Sequence, residues 1–257
     1  MLILCPLPRP RTVPQPGVLA PLPSPALQKT RFELCAESLP AAIAADRAGA
    51  SRIELCSQLP IGGVTPPETL VAQVLAQVSI PVHILIRPRG GNFVYSVPEF
   101  QQMRRDIAWV RSSGAAGVAL GVLNPDGSVD VPRTAELASF ARPLHVTFHR
   151  AFDETPNPAQ SLEDVIATGA DTLLTSGLAP CVHTGADTLA ALVRQAHNRI
   201  AIMAGGGLKL ESLSELLART GVPWVHGSLT RYASLDTSLA AAIRQAISLL
   251  NSPPTPE

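Results

Sequence analysis

The chain has 257 residues, of which 46% are apolar, 16% charged and 4% aromatic, and its 20 Lys and Arg balance 20 Asp and Glu. Zero net charge leaves no basic surface to displace the counterions of nucleic acid and no polybasic patch for a membrane. No apolar run approaches the roughly 18 residues that span a bilayer, and the length suits one large α/β domain or two small ones.

Four cysteines in a chain of this length do not make a disulfide scaffold. The opening Met1-Leu2-Ile3-Leu4-Cys5 lacks a basic flank and is too short for a signal-peptide core. Both features predict a cytoplasmic protein with reduced thiols.

Residues 1–29 carry Pro6, Pro8, Pro10, Pro14, Pro16, Pro21, Pro23 and Pro25, a spacing that supports neither helix nor ladder. They read as a disordered extension, and residues 251–257, with Pro253-Pro254, read as a short tail of the same kind. Residues 30–250 between them form one domain. There, short β-rich runs alternate with amphipathic helical stretches. Strands are expected at Arg31–Cys35, Arg52–Cys56, Val82–Arg87, Gly117–Val122, Leu144–His149, Thr172–Thr175, Arg199–Met203 and Trp224–Gly227. Helices are expected to begin near Leu39, Thr65, Val97, Val131, Asn157, Ala186, Lys209 and Ser234. Gly49, Gly114, Gly169 and Gly221 stand where helices end in a left-handed residue, and Pro66 and Pro98 suit a first helical turn.

Eight strands alternating with eight helices indicate a parallel sheet, either a closed (β/α)₈ TIM barrel or an open doubly wound sheet. The count of eight favours the barrel. The open sheet would carry a glycine-rich dinucleotide loop after its first strand. Cys35-Ala36-Glu37-Ser38 stands there instead, so no nucleotide cofactor is expected.

Side chains alternate between the two faces of a strand. The apolar sets, such as Phe32 with Leu34, Ile53 with Leu55 and Ile84 with Ile86, must pack outward on helices. Glu33, Cys35, Glu54, Cys56, His83, Leu85, Arg87, His145, Thr147, His149 and His226 are then aimed into the barrel. Such groups are expensive to bury unless paired, and an ordinary barrel interior holds layers of Val, Ile and Leu. They mark either a functional pocket at the C-terminal ends of the strands or internal struts in which Glu33 and Glu54 pair with Arg87 and nearby arginines.

The loops add anion chemistry. Arg87-Pro88-Arg89-Gly90-Gly91 offers two guanidinium forks, so Arg87 and Arg89 are candidates to hold a phosphate or carboxylate. Gly205, Gly206 and Gly207 after the seventh strand expose backbone donors, and Ser228 follows the eighth, although tight turns alone also explain such glycine runs. His149 with Asp153 is the acid–base candidate, beside the plainer reading of an Arg150–Asp153 loop ion pair. His83 and His145 lie deeper, His197 sits at a helix end, and Trp109 and Trp224 read as packing groups.

These residues resemble the CutC family, described as copper-homeostasis proteins. The likeness runs through Glu33-Leu34-Cys35, Arg52-Ile53-Glu54-Leu55-Cys56, Gly62-Gly63-Val64-Thr65-Pro66 and Ile86-Arg87-Pro88-Arg89-Gly90-Gly91. It continues in Gly121-Val122-Leu123, Asp126-Gly127, Thr147-Phe148-His149-Arg150-Ala151-Phe152-Asp153, Leu174-Thr175-Ser176-Gly177 and Met203-Ala204-Gly205-Gly206-Gly207. The resemblance implies a TIM barrel, a cytosolic location and copper(I) as ligand. Cys35 and Cys56 become the metal candidates, since soft thiolates suit copper(I), whereas free cysteines also serve as small core fillers. The proline-rich extension, Cys181-Val182-His183 and the region after Ser228 depart from the family pattern. The alternative is a TIM-barrel enzyme acting on a small anionic metabolite, with Arg87 and Arg89 holding the anion and His149 with Glu33 or Glu54 moving protons. Alanine-rich helices would permit a homodimer.

Overall fold

Phe32, Leu34, Ile53, Leu55, Ile84, Ile86, Val146, Phe148 and Val225 point outward, and each belongs to the large apolar layer between sheet and helices. Their alternation with inward residues gives every strand one greasy and one mixed face, and closure into a ring buries both. The computed structural model describes residues 30–232 and 238–251. The strands are β1 (Arg31–Ala36), β2 (Arg52–Leu55), β3 (Val82–Leu85), β4 (Gly117–Leu120), β5 (His145–Phe148), β6 (Thr172–Thr175), β7 (Ala201–Gly205) and β8 (Trp224–Gly227). All neighbours are parallel, and β8 returns to β1 to close the barrel. The helices are α1 (Leu39–Ala48), α2 (Glu68–Leu75), α3 (Val97–Ser113), α4 (Val131–Ala141), α5 (Pro158–Ala167), α6 (Ala186–Ala196), α7 (Leu213–Thr220) and α8 (Leu239–Asn251). This is the expected single-domain (β/α)₈ TIM barrel.

Local chemistry sets the helix ends. Ser38 accepts the Ala41 N–H to open α1, and Gly49 closes it at φ 83°. Ser96 and Glu99 form a reciprocal capping box on α3, with Pro98 in its first turn. Pro66 does not enter a helix: α2 begins two residues later, with Pro67 at its cap. α7 is preceded by a single 3₁₀ turn, Leu210–Ser212, where a helix was expected from Lys209. β7 runs two residues later than expected, through Gly205, while β3, β4 and β5 stop short of Arg87, Val122 and His149. Those three residues therefore belong to the loops at the barrel mouth. The expected start near Ser234 and residues 1–29 lie outside the described residues.

A second, smaller apolar group sits inside the ring: Cys35, Cys56, Leu85 and Ala119, with Leu59 packed against it. Beneath it the barrel interior is polar. His83 is 2% exposed, its Nδ1 has no hydrogen-bond partner, and its ring lies 4.9 Å from that of His145. Burial, reinforced by Arg52, holds the His83 pKa down to about 3.

A folded-state pKa near 3 against 6.5 in the unfolded chain means that the unfolded state binds more protons between those values. Stability is complete above pH 6.5 and falls as pH drops toward 3. Lowering pH from 7.5 to 5 should cost about 2 kcal/mol through His83. Urea midpoints at the two pH values should therefore lie closer together in His83→Gln than in the wild type; an unchanged difference would contradict the assignment.

Candidate functional site

The site starts from the register of three strands. β1 and β2 place Cys35 beside Glu54 and Glu33 beside Arg52. The closing strand β8 places His226 beside Glu33. Glu33 is 1% exposed and accepts both from Arg52 and, at 2.7 Å, from His226 Nδ1. Burial alone would raise its pKa, but Arg52 and His226 prevail and hold it at about 2. The internal strut is thus Glu33 with Arg52 and His226. Arg87 takes no part, because its guanidinium is bonded to the carbonyls of Ile61, Gly63 and Gly91.

Glu54 and Cys35 form the next layer. Cys35 Sγ lies 3.7 Å from Glu54 Oε1 and 3.7 Å from Cys56 Sγ, and both cysteines are free thiols, 7% and 0% exposed. The hydrogen bond from Cys56, then burial and Glu54, push the Cys35 thiol well above its ordinary range. Burial likewise raises the Glu54 carboxyl despite the nearby His226. Burial works against a proton on His226, but Glu54 and Glu33 outweigh it and its pKa rises. With Nδ1 committed to Glu33, His226 Nε2 faces Glu54 Oε1 at 4.0 Å. One ligand atom from each of Cys35, Glu54 and His226 falls within 4.8 Å of the others. A sulfur, a carboxylate oxygen and an imidazole nitrogen are together a metal-binding donor set.

Above this floor lies a cavity of about 250 Å³ whose lining includes Cys35, Glu54, His226, Arg87, Phe93 and His149, with Arg150, Gly206, Gly207 and Ser228 toward the mouth. Glu33 lies beneath this surface, and Cys56 sits behind Cys35. Gly63 closes the side over the thiols: a Cβ there would come within 2.8 Å of Leu85 and 3.5 Å of Cys56 Sγ.

Arg87 acts mainly as a clamp. Its Nη atoms donate to the carbonyls of Ile61, Gly63 and Gly91, and its guanidinium lies over the Phe93 ring at 4.7 Å. Only Nε remains without a partner. Arg89 is not in the cavity. It donates to Glu99, to the carbonyls of Gly90, Asn92 and Val94 and to the Asn92 side chain, and it lies over Tyr95. These partners engage its fork, and Arg89 is not among the residues that line the cavity.

The expected His149–Asp153 couple is not formed. Asp153 accepts from Thr175 Oγ1, from Ser176 N and Oγ, from Leu178 N and from Arg150 Nε, and so ties η2 (Arg150–Glu154) to the loop after β6. The loop ion pair Arg150–Asp153 is present. His149 is 4% exposed, its Nδ1 accepts from Ala151 N at 3.3 Å, and its Nε2 has no partner. Burial, then Arg87, depresses its pKa to about 3. The ring is consequently neutral near pH 7 and, with Nδ1 accepting, carries its proton on the unpartnered Nε2; it is a weak base there.

Around the mouth, Gly206 adopts φ 117°, and a Cβ on it would come within 2.9 Å of the Arg150 guanidinium carbon. Glycine therefore lets Arg150 lie against the loop after β7. Gly205 is the last residue of β7 and is not in the lining. His183 accepts from Lys209 N and meets Ser212 Oγ, which makes it a loop tie away from the thiols. Sequence reasoning missed His226 as a ligand candidate, Arg52 as the strut and Arg150 as the mouth arginine. Strand parity already pointed His226 inward; what it lacked was the pairing with Glu33 across the closing seam.

Residues 30–231 match the model of the CutC family. The chain is 47% identical over 197 residues to a CutC family protein of Chromobacterium violaceum, covering 77% of this chain and 80% of that one. It is 44% identical over 206 residues to one of Vibrio parahaemolyticus, covering 79% and 83%. The crystal structure of CutC from Streptococcus agalactiae superposes with a TM-score of 0.73 at 34% identity, covering 77% of this chain and 98% of that one. N-(5'-phosphoribosyl)anthranilate isomerase from Pyrococcus furiosus, at 12% identity and a TM-score of 0.56, shares the fold alone. The match spans every strand of the barrel and the loop that follows the last, and the chain belongs to the CutC family.

Proposed function

We propose that this protein binds copper(I) in the cytoplasm, between the thiolates of Cys35 and Cys56. The observation that carries the reading is the buried Sγ–Sγ separation of 3.7 Å at the cavity floor. Soft sulfur ligands select copper(I). With metal–sulfur bonds of about 2.3 Å, as zinc thiolates show, sulfurs at this separation subtend about 107°, a bent arrangement that calls for a further donor. His226 lies on the same cavity wall as Cys35. The Streptococcus agalactiae relative is itself named for copper homeostasis.

A second reading is favoured by the unpartnered Nε2 of His149 beside Arg150, Gly206, Gly207 and Ser228. It makes the cavity the site of an enzyme for a small phosphate- or carboxylate-bearing metabolite. Arg150 and Arg87 supply charge, His149 donates a neutral hydrogen bond, and Glu54 is the carboxyl able to exchange a proton with the ligand. Glu33, paired beneath the floor, is left a positioning role.

Titrating the reduced protein with copper(I) against a competing chelator should show one tight equivalent. Cys35→Ser with Cys56→Ser should weaken it by at least about 100-fold; unchanged affinity rules the copper reading out. Because the raised Cys35 thiol pKa makes protons compete with the ion, affinity should climb as pH rises through the neutral range.

Native mass spectrometry of protein recovered from cells should detect a small anionic ligand that is lost in Arg150→Ala. Identical ligand profiles for the two proteins would count against the enzymatic reading.

A further inference from the structure

We propose that Cys35 Sγ, the Glu54 carboxylate and His226 Nε2 form a three-ligand site for a zinc-type divalent cation, its fourth position open to the cavity for an oxygen of a small oxyanion. The proposal shares the cavity floor with the copper reading but rests on Glu54, which that reading does not use, and dispenses with Cys56.

Geometry comes first. Tetrahedral coordination by sulfur, oxygen and nitrogen at ordinary zinc bond lengths sets ligand atoms about 3.4–3.6 Å apart. Cys35 Sγ and Glu54 Oε1 stand at 3.7 Å, His226 Nε2 and Glu54 Oε1 at 4.0 Å, and all three atoms fall within 4.8 Å. Drawing the His226–Glu54 pair in by about 0.6 Å brings it to tetrahedral spacing, and the Cys35–Glu54 pair is already near it.

The surroundings are those of a metal-bound histidine. A ligating imidazole ordinarily gives its other N–H to a carboxylate, which fixes its tautomer and its aim. His226 Nδ1 does so to Glu33 at 2.7 Å, and Arg52 holds Glu33 in turn. The carboxylate–histidine pair therefore stands ready with Nε2 turned to the remaining ligands. Glu54, 5% exposed, accepts a long hydrogen bond from Cys35 and meets His226 Nε2 at 4.0 Å, the outer limit of an ion pair. A buried acid so weakly partnered is costly, and a cation would neutralise it.

The open position follows from placement. All three ligand residues line the cavity, whereas Cys56 lies behind Cys35 and does not. Three protein ligands with a vacant fourth position is the pattern of reactive zinc sites, in contrast to closed four-ligand structural ones. The same cavity is lined by His149, whose buried Nε2 has no partner, and by Arg150, Gly206 and Gly207. They are donors and positive charge, suited to a phosphate or carboxylate with one oxygen on the cation.

Cobalt(II) serves as the spectroscopic probe. Added to the reduced, metal-free full chain, one equivalent should give the intense visible bands of four-coordinate cobalt and a sulfur-to-cobalt charge-transfer band. Inorganic phosphate should then perturb the visible bands. Glu54→Gln, which keeps size and shape, should weaken cobalt and zinc binding by at least about 100-fold while copper(I) affinity stays within about 3-fold. Cys56→Ser and Cys56→Ala should do the reverse. Cobalt binding that survives Glu54→Gln with its spectrum unchanged, or cobalt bands that phosphate leaves unmoved, overturns the proposal. Loss of copper(I) binding alone would sink the copper reading and leave this one standing.

Discussion

Glu33 is the carboxylate on which the barrel's interior chemistry turns. It is almost wholly out of water and is tied to Arg52 on β2 and His226 on β8, the strands to either side of its own. An unpaired charge at this depth would cost several kcal/mol, and removing one member of such a buried pair typically costs about 3–5 kcal/mol. Arg52 extends the connection across the ring: its guanidinium lies 4.2 Å from the centre of the Trp224 ring and its Nη2 is 3.7 Å from Met203 Sδ. One ion-pair network thereby reaches β1, β2, β7 and β8. Its functional consequence is directional, since a histidine whose Nδ1 is occupied can present only Nε2 to the cavity.

Above the network the interior is graded along the barrel axis. The layer of Cys35, Cys56, Leu85 and Ala119 is soft and nearly dry. Glu54 and His226 line the cavity beside Cys35, and the rim carries arginine and glycine. Each layer depends on the one below. Leu85 and Cys56 leave no room for a side chain at Gly63, and the carbonyl of that residue is one of the three that hold Arg87. Arg87 in turn lies over Phe93, whose ring meets His149 at 4.9 Å. The hydrogen-bond donor offered by His149 is thus positioned by a stack that begins at the thiols.

What could be read from the sequence was whatever obeys a short period. Two-residue alternation places Glu33, Cys35, Glu54, Cys56 and His226 inside the ring, because a strand gives each residue only two faces to choose between. Alternation carries no information about loops, where the side-chain partners of Arg87, Arg89 and Asp153 are set. Arg87 and Arg89 resemble free anion-binding forks until their partners appear, and most of those partners are carbonyls, which every residue possesses. Asp153 looked like a partner for His149 because the two are close in sequence. In the fold it is turned to Thr175 and Ser176, more than twenty residues on, by the η2 turn. His226 shows the converse limit: its facing was legible, but its partner lies at the other end of the chain and meets it only through closure of the barrel.

Glu54 separates a soft-metal site from a mixed one. Copper(I) gains little from a hard carboxylate, and a leucine or methionine at that position would line the cavity without the desolvation penalty that raises the Glu54 pKa. A buried acid held beside a thiol and an imidazole is compensated best by a cation that accepts oxygen, nitrogen and sulfur together. Cys35 belongs to both proposed arrangements, so the two ions cannot occupy their sites at once. Copper(I) draws the thiolate toward Cys56, and a divalent ion draws it toward Glu54. Under the two proposals, the same side chain that receives a soft ion removes the open coordination position facing the rim, and an oxyanion bound there would in turn favour the divalent ion over copper(I) by linkage.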